Sequence, residues 1–200
     1  MIVEKLIKNK KSYTIIVEDN NYELDEEIIV EYRLVEGKEI TNDILAKAVV
    51  KNRVMSYYYK ALDYALKYGK NSAQIYDYLE EKGLSNTEIA EVISLLKRNS
   101  VIDDNRLIKS IAESYVRRSY GVLYIEAKLL ERKFKKDEIG NVLAKIDMEL
   151  YHDALNKLYE KIKTKYTGSE YERVIKIKKY LLSRGYTYTD IDALDIKTNL

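Results

Sequence analysis

The spacing of apolar positions changes about 35 residues into the chain. Before that point, β-branched residues alternate with turn-forming polar ones, first in "SYTIIVED", then in the turn "DNN" and in "EEIIVEYRL". This pattern predicts a small β-rich N-terminal segment containing a hairpin. Beyond Gly37, apolar residues recur every three or four positions, which predicts helices. The first of these is "ITNDILAKAVVKN", with Thr41 or Asn42 as its N-cap.

The helical part of the chain carries one pattern three times. Leu79, Leu84 and Ile89 are five residues apart, and this spacing recurs 50 residues later and 52 residues after that. The later copies are Leu129, Phe134 and Ile139, and then Leu181, Tyr186 and Ile191. Each copy lies in a unit made of one longer helix, a second helix, a tight turn and a third helix. A period near 50 residues predicts helical units that share a core with their neighbours.

The tight turn is best defined in the first and last copies. Gly83 and Gly185 end the second helix there, at a position that suits a left-handed residue. A capping box opens the third helix, Ser85 with Glu88 in the first copy and Thr187 with Asp190 in the last. In the middle copy, Lys133 replaces the glycine and Lys135 replaces the cap.

We therefore predict a mainly α fold. Three tandem three-helix repeats form an elongated curved array, preceded by the small β-rich N-terminal segment. The predicted divisions are 1–52 for the β-rich segment with a following helix, and 53–100, 101–150 and 151–200 for the repeats. In "SYYYKALDYALKY" the spacing places five residues on one buried face: Tyr58, Ala61, Leu62, Ala65 and Leu66.

Charge is distributed unevenly, although the net charge is only +2. Residues 18–43 contain ten acids and two bases, a net charge of −8, whereas residues 157–184 contain nine bases and three acids, a net charge of +6. These stretches can be solvated faces that maintain solubility, or one of them can bind a partner. Composition leaves both interpretations open.

The familiar signatures of enzymes are missing from the sequence. There is no Cys, no P-loop, no G-x-G-x-x-G and no G-x-S-x-G, and the single His152 lies in a helical stretch. Asp103 and Asp104 precede a helix, so capping is favoured over cation binding. We expect no catalytic activity, no metal and no cofactor. The lack of Cys, of a secretory leader and of a long apolar run predicts a cytoplasmic protein without membrane contact.

Basic and tyrosine residues are interleaved in the second and third repeats. Lys128 and Arg132 lie one helical turn apart and away from the core face, and Lys176 and Lys179 share another outer face. The neighbouring residues are Arg184, Tyr120, Tyr124 and Tyr171. Such a surface can neutralise phosphates and stack bases, meet an acidic protein groove, or remain solvated.

Two stretches resemble the RecX family, the bacterial regulators of RecA recombinase. "IDDNRLIKSIAESYVRRSYGVLYIEAKL" is similar to the family's D-D-x-R-[FL] start, basic Tyr-Gly turn and I-x-x-x-L helix, and "YLLSRGYTYTDI" to its closing R-G-[FY]-[ST] turn. The matching residues are Asp103, Asp104, Arg106, Leu107, Arg117, Arg118, Tyr120, Gly121, Ile125, Leu129, Arg184, Gly185, Tyr186 and Thr187. The resemblance spans residues 57–195, and the β-rich start resembles the extension of longer members. The chain departs from the family pattern at residues 70–75, at Ile111 and at Lys133.

The resemblance implies a regulator of recombination, DNA repair and the SOS response that is not an enzyme. Family members bind in the helical groove of the RecA filament on single-stranded DNA, and they block ATP hydrolysis and strand exchange or limit filament growth. We expect inhibition of RecA by a monomer that itself binds single- or double-stranded DNA weakly. The expected partner-binding residues are Arg117, Arg118, Tyr120, Lys128, Arg132, Lys176, Lys179 and Arg184. Arg117 and Arg118 equally suit a helix C-terminus.

Two other functions fit the same residues. Three-helix units can carry a helix-turn-helix geometry, and the third repeat is basic, which allows direct binding to nucleic acid. However, the acidic N-terminal stretch opposes DNA, and no helix concentrates Arg, Asn and Gln for base readout. A helical-repeat scaffold with an unrelated partner is the other alternative.

Overall fold

The computed structural model describes residues 1–194 and confirms a mainly helical chain with a small N-terminal sheet. Residues 195–200, the end of the predicted third repeat, lie outside the described residues. In chain order the elements are β1 (Val3–Lys8), β2 (Tyr13–Val17), β3 (Asn20–Leu24), α1 (Glu26–Tyr32), α2 (Asn42–Tyr68), α3 (Ser72–Glu81), α4 (Asn86–Arg98), α5 (Asp104–Arg117), α6 (Val122–Glu131), α7 (Lys136–Leu143), α8 (Met148–Lys163), α9 (Glu170–Ser183) and α10 (Tyr188–Asp192). The chain forms two compact units, one ending at Ile102 and the other beginning at Asp103.

The N-terminal sheet is antiparallel, in the order β1–β2–β3. The strand predicted in "SYTIIVED" is β2, but the one predicted in "EEIIVEYRL" is wrong, because these residues form α1. Glu26 and Glu27 lie in the first turn of α1, where the negative charge of a carboxylate interacts favourably with the helix dipole. Ile28 and Ile29 join the core of the sheet. Their β-branched side chains suggested a strand, but burial on one face of a short helix decided the structure.

Helix α2 links the sheet to the first repeat. It is 27 residues long, begins at the N-cap Thr41 and ends at Gly69. The predicted division between residues 52 and 53 falls inside this helix. Its first half packs on the sheet core, and its second half packs on α3 and α4. One residue of the predicted buried face is misplaced, because Leu66 is 70% exposed.

The three predicted repeats correspond to three helix triplets: α2–α3–α4, α5–α6–α7 and α8–α9–α10. Their shared positions form the cores, as predicted, with an exposed fraction between 0% and 6% at all nine sites. The capping boxes Ser85–Glu88 and Thr187–Asp190 are both present. Asp103 caps α5 by accepting a hydrogen bond of 3.0 Å from the Arg106 N–H. The spacing of apolar and capping residues therefore specified these units.

The turn of the second repeat keeps its shape without its preferred residues. Lys133 has a φ of 63°, close to the 77° of Gly83 and the 85° of Gly185. A left-handed residue with a side chain costs about 1–2 kcal/mol relative to an ordinary backbone conformation. Lys135 occupies the N-cap of α7, where a lysine has no acceptor atom for the helix amides. A good cap contributes about 1 kcal/mol to stability. Lys133 and Lys135 therefore each make this turn less stable than the equivalent turns of the other two repeats.

Repeats two and three are joined by a close backbone contact between Gly121 and Gly185. The Gly121 N–H donates to the Arg184 carbonyl at 2.9 Å, and the Leu123 N–H donates to the Gly185 carbonyl at 3.0 Å. A Cβ on Gly121 would overlap the Gly185 carbonyl, and one on Gly185 would overlap the backbone of Tyr124. The backbone groups at the start of α6 are thus satisfied by the turn of the next repeat.

Tyr151 on α8 also links repeats two and three, through hydrogen bonds made inside the core. Its buried hydroxyl accepts a hydrogen bond of 3.3 Å from the Val122 N–H and donates one of 2.9 Å to Asp190 Oδ2. Burial, followed by the charge of Asp190, raises the pKa of Tyr151. The neighbouring Tyr186 hydroxyl is buried without a hydrogen-bond partner among the described residues, and burial raises the pKa of Tyr186 to about 12.

The glycine contact predicts a large difference between two equivalent substitutions. Gly185→Ala should reduce the free energy of unfolding by at least about 2 kcal/mol, because it combines a left-handed residue with a backbone clash. Gly83→Ala is the matched control, since Gly83 has a similar φ and open space around it. It should cost only about 1 kcal/mol. Urea unfolding of both variants measures the difference, and equal losses would contradict the contact.

The two buried tyrosines predict opposite effects of the same chemical change. Tyr151→Phe should reduce the free energy of unfolding by about 1–3 kcal/mol, because it leaves the Val122 N–H and the Asp190 carboxylate without this partner. Tyr186→Phe removes a hydroxyl without a described partner, so it should leave the free energy of unfolding unchanged or raise it. Chemical denaturation of the pair tests this. A larger loss from Tyr186→Phe would overturn the assignment.

Candidate functional site

The eight predicted partner-binding residues all lie in the second compact unit, in three surroundings. Tyr120, Arg118 and Arg184 meet at the junction between repeats two and three. Arg117, Lys128 and Arg132 lie at or near the ends of α5 and α6. Lys176 and Lys179 are exposed on α9. The structure thus brings three of them together and leaves the other five outside this cluster.

The junction contains a cluster of tyrosine rings. Tyr120 and Tyr124 stack with centroids 4.1 Å apart, and Tyr115 meets each of them edge-on at 5.6 Å. The guanidinium of Arg184 lies 4.1 Å from the Tyr120 centroid. Two groups cannot occupy one face of a ring at this distance, so Tyr120 is held between Tyr124 and Arg184. Arg118 approaches Tyr115 and Tyr120 at 5.4 Å and 5.7 Å.

The Arg184 side chain makes its contacts inside this cluster. Its Nη2 lies 3.5 Å from the Arg118 carbonyl, and its Nε is a buried atom without a hydrogen-bond partner among the described residues. A cation over the face of a tyrosine is worth about 0.5–2 kcal/mol, more when it is shielded from water. Tyr120 and Arg184 therefore hold repeat three against repeat two. Neither ring face of Tyr120 remains open for a base or another aromatic group.

The cations near the ends of α5 and α6 are mostly on the surface. Arg117 is exposed in the last turn of α5, 3.6 Å from Glu113 Oε2, and Arg118 is its C-cap. Both arginines thus occupy the helix C-terminus that the sequence suggested. Lys128 lies 2.7 Å from Glu131 Oε2, and this hydrogen bond raises the pKa of Lys128. Arg132 is the exposed C-cap of α6.

Lys176 and Lys179 lie on the outer face of α9, opposite the buried Val174, Ile177 and Leu181. The Lys176 ammonium donates a hydrogen bond of 3.2 Å to the Thr167 carbonyl. Lys179 is exposed, and so is Tyr171 about two turns earlier in the same helix. This face is open to a macromolecular partner and offers positive charge on a rigid element.

Sequence reasoning missed an apolar feature of α6. Leu123, Ala127 and Leu130 are exposed on the side of the helix that faces away from the core. Their spacing of four and three residues is the signal in the sequence that indicates this second face. In the turn after α6, the sequence analysis predicts partner binding for Arg132 only, and it identifies Lys133 and Lys135 as departures from the repeat.

The described part of the chain contains no grouping of three or more His, Asp or Glu side chains arranged to hold a metal ion. His152 is exposed on α8. An open cleft in the second repeat has mixed charges, with Arg106, Lys109, Glu113 and Glu138 among its lining residues. Within residues 1–194, every helix is too short or too polar to span a bilayer.

Comparison with known proteins finds one family repeatedly. A protein-family profile described as "RecX, third three-helix domain" matches residues 149–194. The chain is 25% identical over 187 residues to "Regulatory protein RecX" of Oceanobacillus iheyensis, covering 90% of this chain and 69% of that protein. It is 28% identical over 197 residues to "Regulatory protein RecX" of Streptococcus pyogenes serotype M3, covering 94% and 73%.

Solved structures agree with the sequence matches. A structure described as "Crystal structure of regulatory protein RecX" superposes with a TM-score of 0.75 at 19% identity, covering 98% of this chain and 99% of that one, and so supports the fold. The structure of RecX from Lactobacillus salivarius gives a TM-score of 0.60 at 26% identity, covering 72% and 97%. By these matches, the chain is similar to regulatory proteins of the RecX family along most of its length, and its residues 149–194 match the family's third three-helix domain.

Proposed function

We propose that this protein binds the filament of RecA recombinase on single-stranded DNA and inhibits its ATP hydrolysis, growth and strand exchange. The observation that carries the proposal is the exposed cationic face of α9, with Lys176 and Lys179, on a unit whose relatives are named as regulators. We further propose that the protein acts as a monomer in the cytoplasm, without enzymatic activity of its own.

The tyrosine cluster argues against direct nucleic-acid binding as the main function. Proteins that bind single strands usually offer open aromatic faces on which bases stack. Here the rings of Tyr115, Tyr120 and Tyr124 pack on each other, and Arg184 covers Tyr120. The acidic residues of the first unit, including the exposed Glu26 and Glu27, would also repel a phosphate backbone. These features support a protein partner.

The first test is DNA-dependent ATP hydrolysis by RecA on single-stranded DNA. We expect hydrolysis to fall when this protein is added at well below one molecule per RecA subunit, because one bound regulator affects many subunits of a filament. Binding of this protein to the same DNA without RecA is the parallel measurement. Unchanged hydrolysis, together with strongly salt-dependent DNA binding, would instead support a nucleic-acid module.

A charge-reversal pair tests the α9 face. Lys176→Glu with Lys179→Glu should require at least about tenfold more protein for half-inhibition of RecA, because the attraction becomes repulsion. Lys10→Glu with Lys11→Glu makes the same change of net charge on an exposed loop of the first unit and should inhibit normally. Thermal unfolding confirms that both variants are folded. Full inhibition by the folded α9 variant would exclude this face.

A further inference from the structure

Helix α6 has apolar residues on two opposite sides. Ile125 and Leu129 are buried in the core of the second unit. Leu123 is 53% exposed and Leu130 is 44% exposed, with the exposed Ala127 between them. Since residues at positions i, i+4 and i+7 share one face of a helix, these three side chains form a continuous apolar stripe. We call Leu123, Ala127 and Leu130 the α6 stripe.

The first repeat shows that the fold does not need this stripe. Helix α3 occupies the same place in its triplet, and its equivalent residues, 50 positions earlier, are Ala73, Asp77 and Glu80. The three-helix core of that repeat is complete without a leucine at any of these positions. In the second unit, the described residues that pack against the core include Leu182 at the position in α9 equivalent to Leu130, but they include neither Leu123 nor Leu130. Exposed apolar residues in a continuous row commonly mark an interaction surface.

The turn after α6 adds positive charge at one end of the stripe. Four exposed cations follow Leu130 within six positions: Arg132, Lys133, Lys135 and Lys136. Two of them occupy positions where the first repeat has the favoured residues, Gly83 and Ser85. Residues that depart from the locally preferred type are often found at functional sites. We call these four residues the basic turn.

We propose that the α6 stripe and the basic turn together bind the protein partner, at an apolar patch bordered by carboxylates. The inference rests on the proposed function and assigns a second contact surface to it. Charge complementarity requires acidic groups opposite the basic turn. Leucine side chains have no ring on which a base can stack, so the stripe favours a protein surface over nucleic acid.

A variant that restores the residues of the first repeat separates stability from binding. Lys133→Gly supplies the residue preferred at a positive φ, and Lys135→Ser supplies a hydroxyl cap, with Glu138 already at the third helical position to complete a box. We expect the midpoint of thermal unfolding of this double variant to rise by about 4–8 °C. The affinity of the same variant for RecA filaments should fall by about three- to tenfold.

Two controls make the result specific. Lys10→Ser with Lys11→Ser removes the same charge from the first unit and should bind normally.

Leu123→Gln with Leu130→Gln should weaken filament binding at least about tenfold, since it removes the apolar anchors. Val50→Gln with Leu66→Gln is its control, because both residues are exposed on α2. Binding is measured by titration of labelled protein with RecA filaments, and with naked single-stranded DNA in parallel.

The outcomes distinguish this inference from the proposed function. If the unchanged protein does not bind RecA filaments, the proposed function fails. If it binds and the more stable Lys133→Gly/Lys135→Ser variant binds equally well, the basic turn is excluded. If the leucine variant keeps its affinity, the stripe is excluded. If the basic-turn variant loses affinity for naked DNA as strongly as for filaments, the surface binds nucleic acid and the inference is overturned.

Discussion

The close contact between Gly121 and Gly185 is the constraint on which the second unit depends. It satisfies the first amides of α6 with carbonyl groups of the next repeat, and it leaves no room for a side chain on either residue. The start of α6 and the turn after α9 are therefore fixed against each other. Because Tyr151 also links the start of α6 to Asp190 in α10, repeats two and three present their outer faces in one defined arrangement.

This junction decides which polar residues remain for a partner. Tyrosine and arginine are typical of binding sites, but here Tyr120 and Arg184 stack on each other at the junction. They join repeat two to repeat three. Other basic residues, on α9 and in the turn after α6, face solvent. They lie on a helix or in the short turn between two helices, and such ordered positions favour recognition of an ordered surface such as a protein filament.

The sequence predicted the repeats because their signals are local and redundant. The spacing of Leu79, Leu84 and Ile89 and the capping boxes each require a helix boundary at the same place, and the structure agrees. Helix α1 was missed because Ile28 and Ile29 fit a strand as well as a short helix, and tertiary packing decides between them. The stacking of Arg184 on Tyr120 joins residues 64 positions apart, so no local pattern could reveal it.

Hydrogen–deuterium exchange of this protein, alone and bound to RecA filaments on single-stranded DNA, tests the central claim most directly. In the proposed complex, repeats two and three provide the contact surface. We expect slower exchange on binding in the amides of α6, the following turn and α9, because a partner that covers them excludes water and suppresses local opening. The junction around Gly121 should exchange slowly in both states. Protection confined to residues 1–102, with none in α6 or α9, would contradict the account.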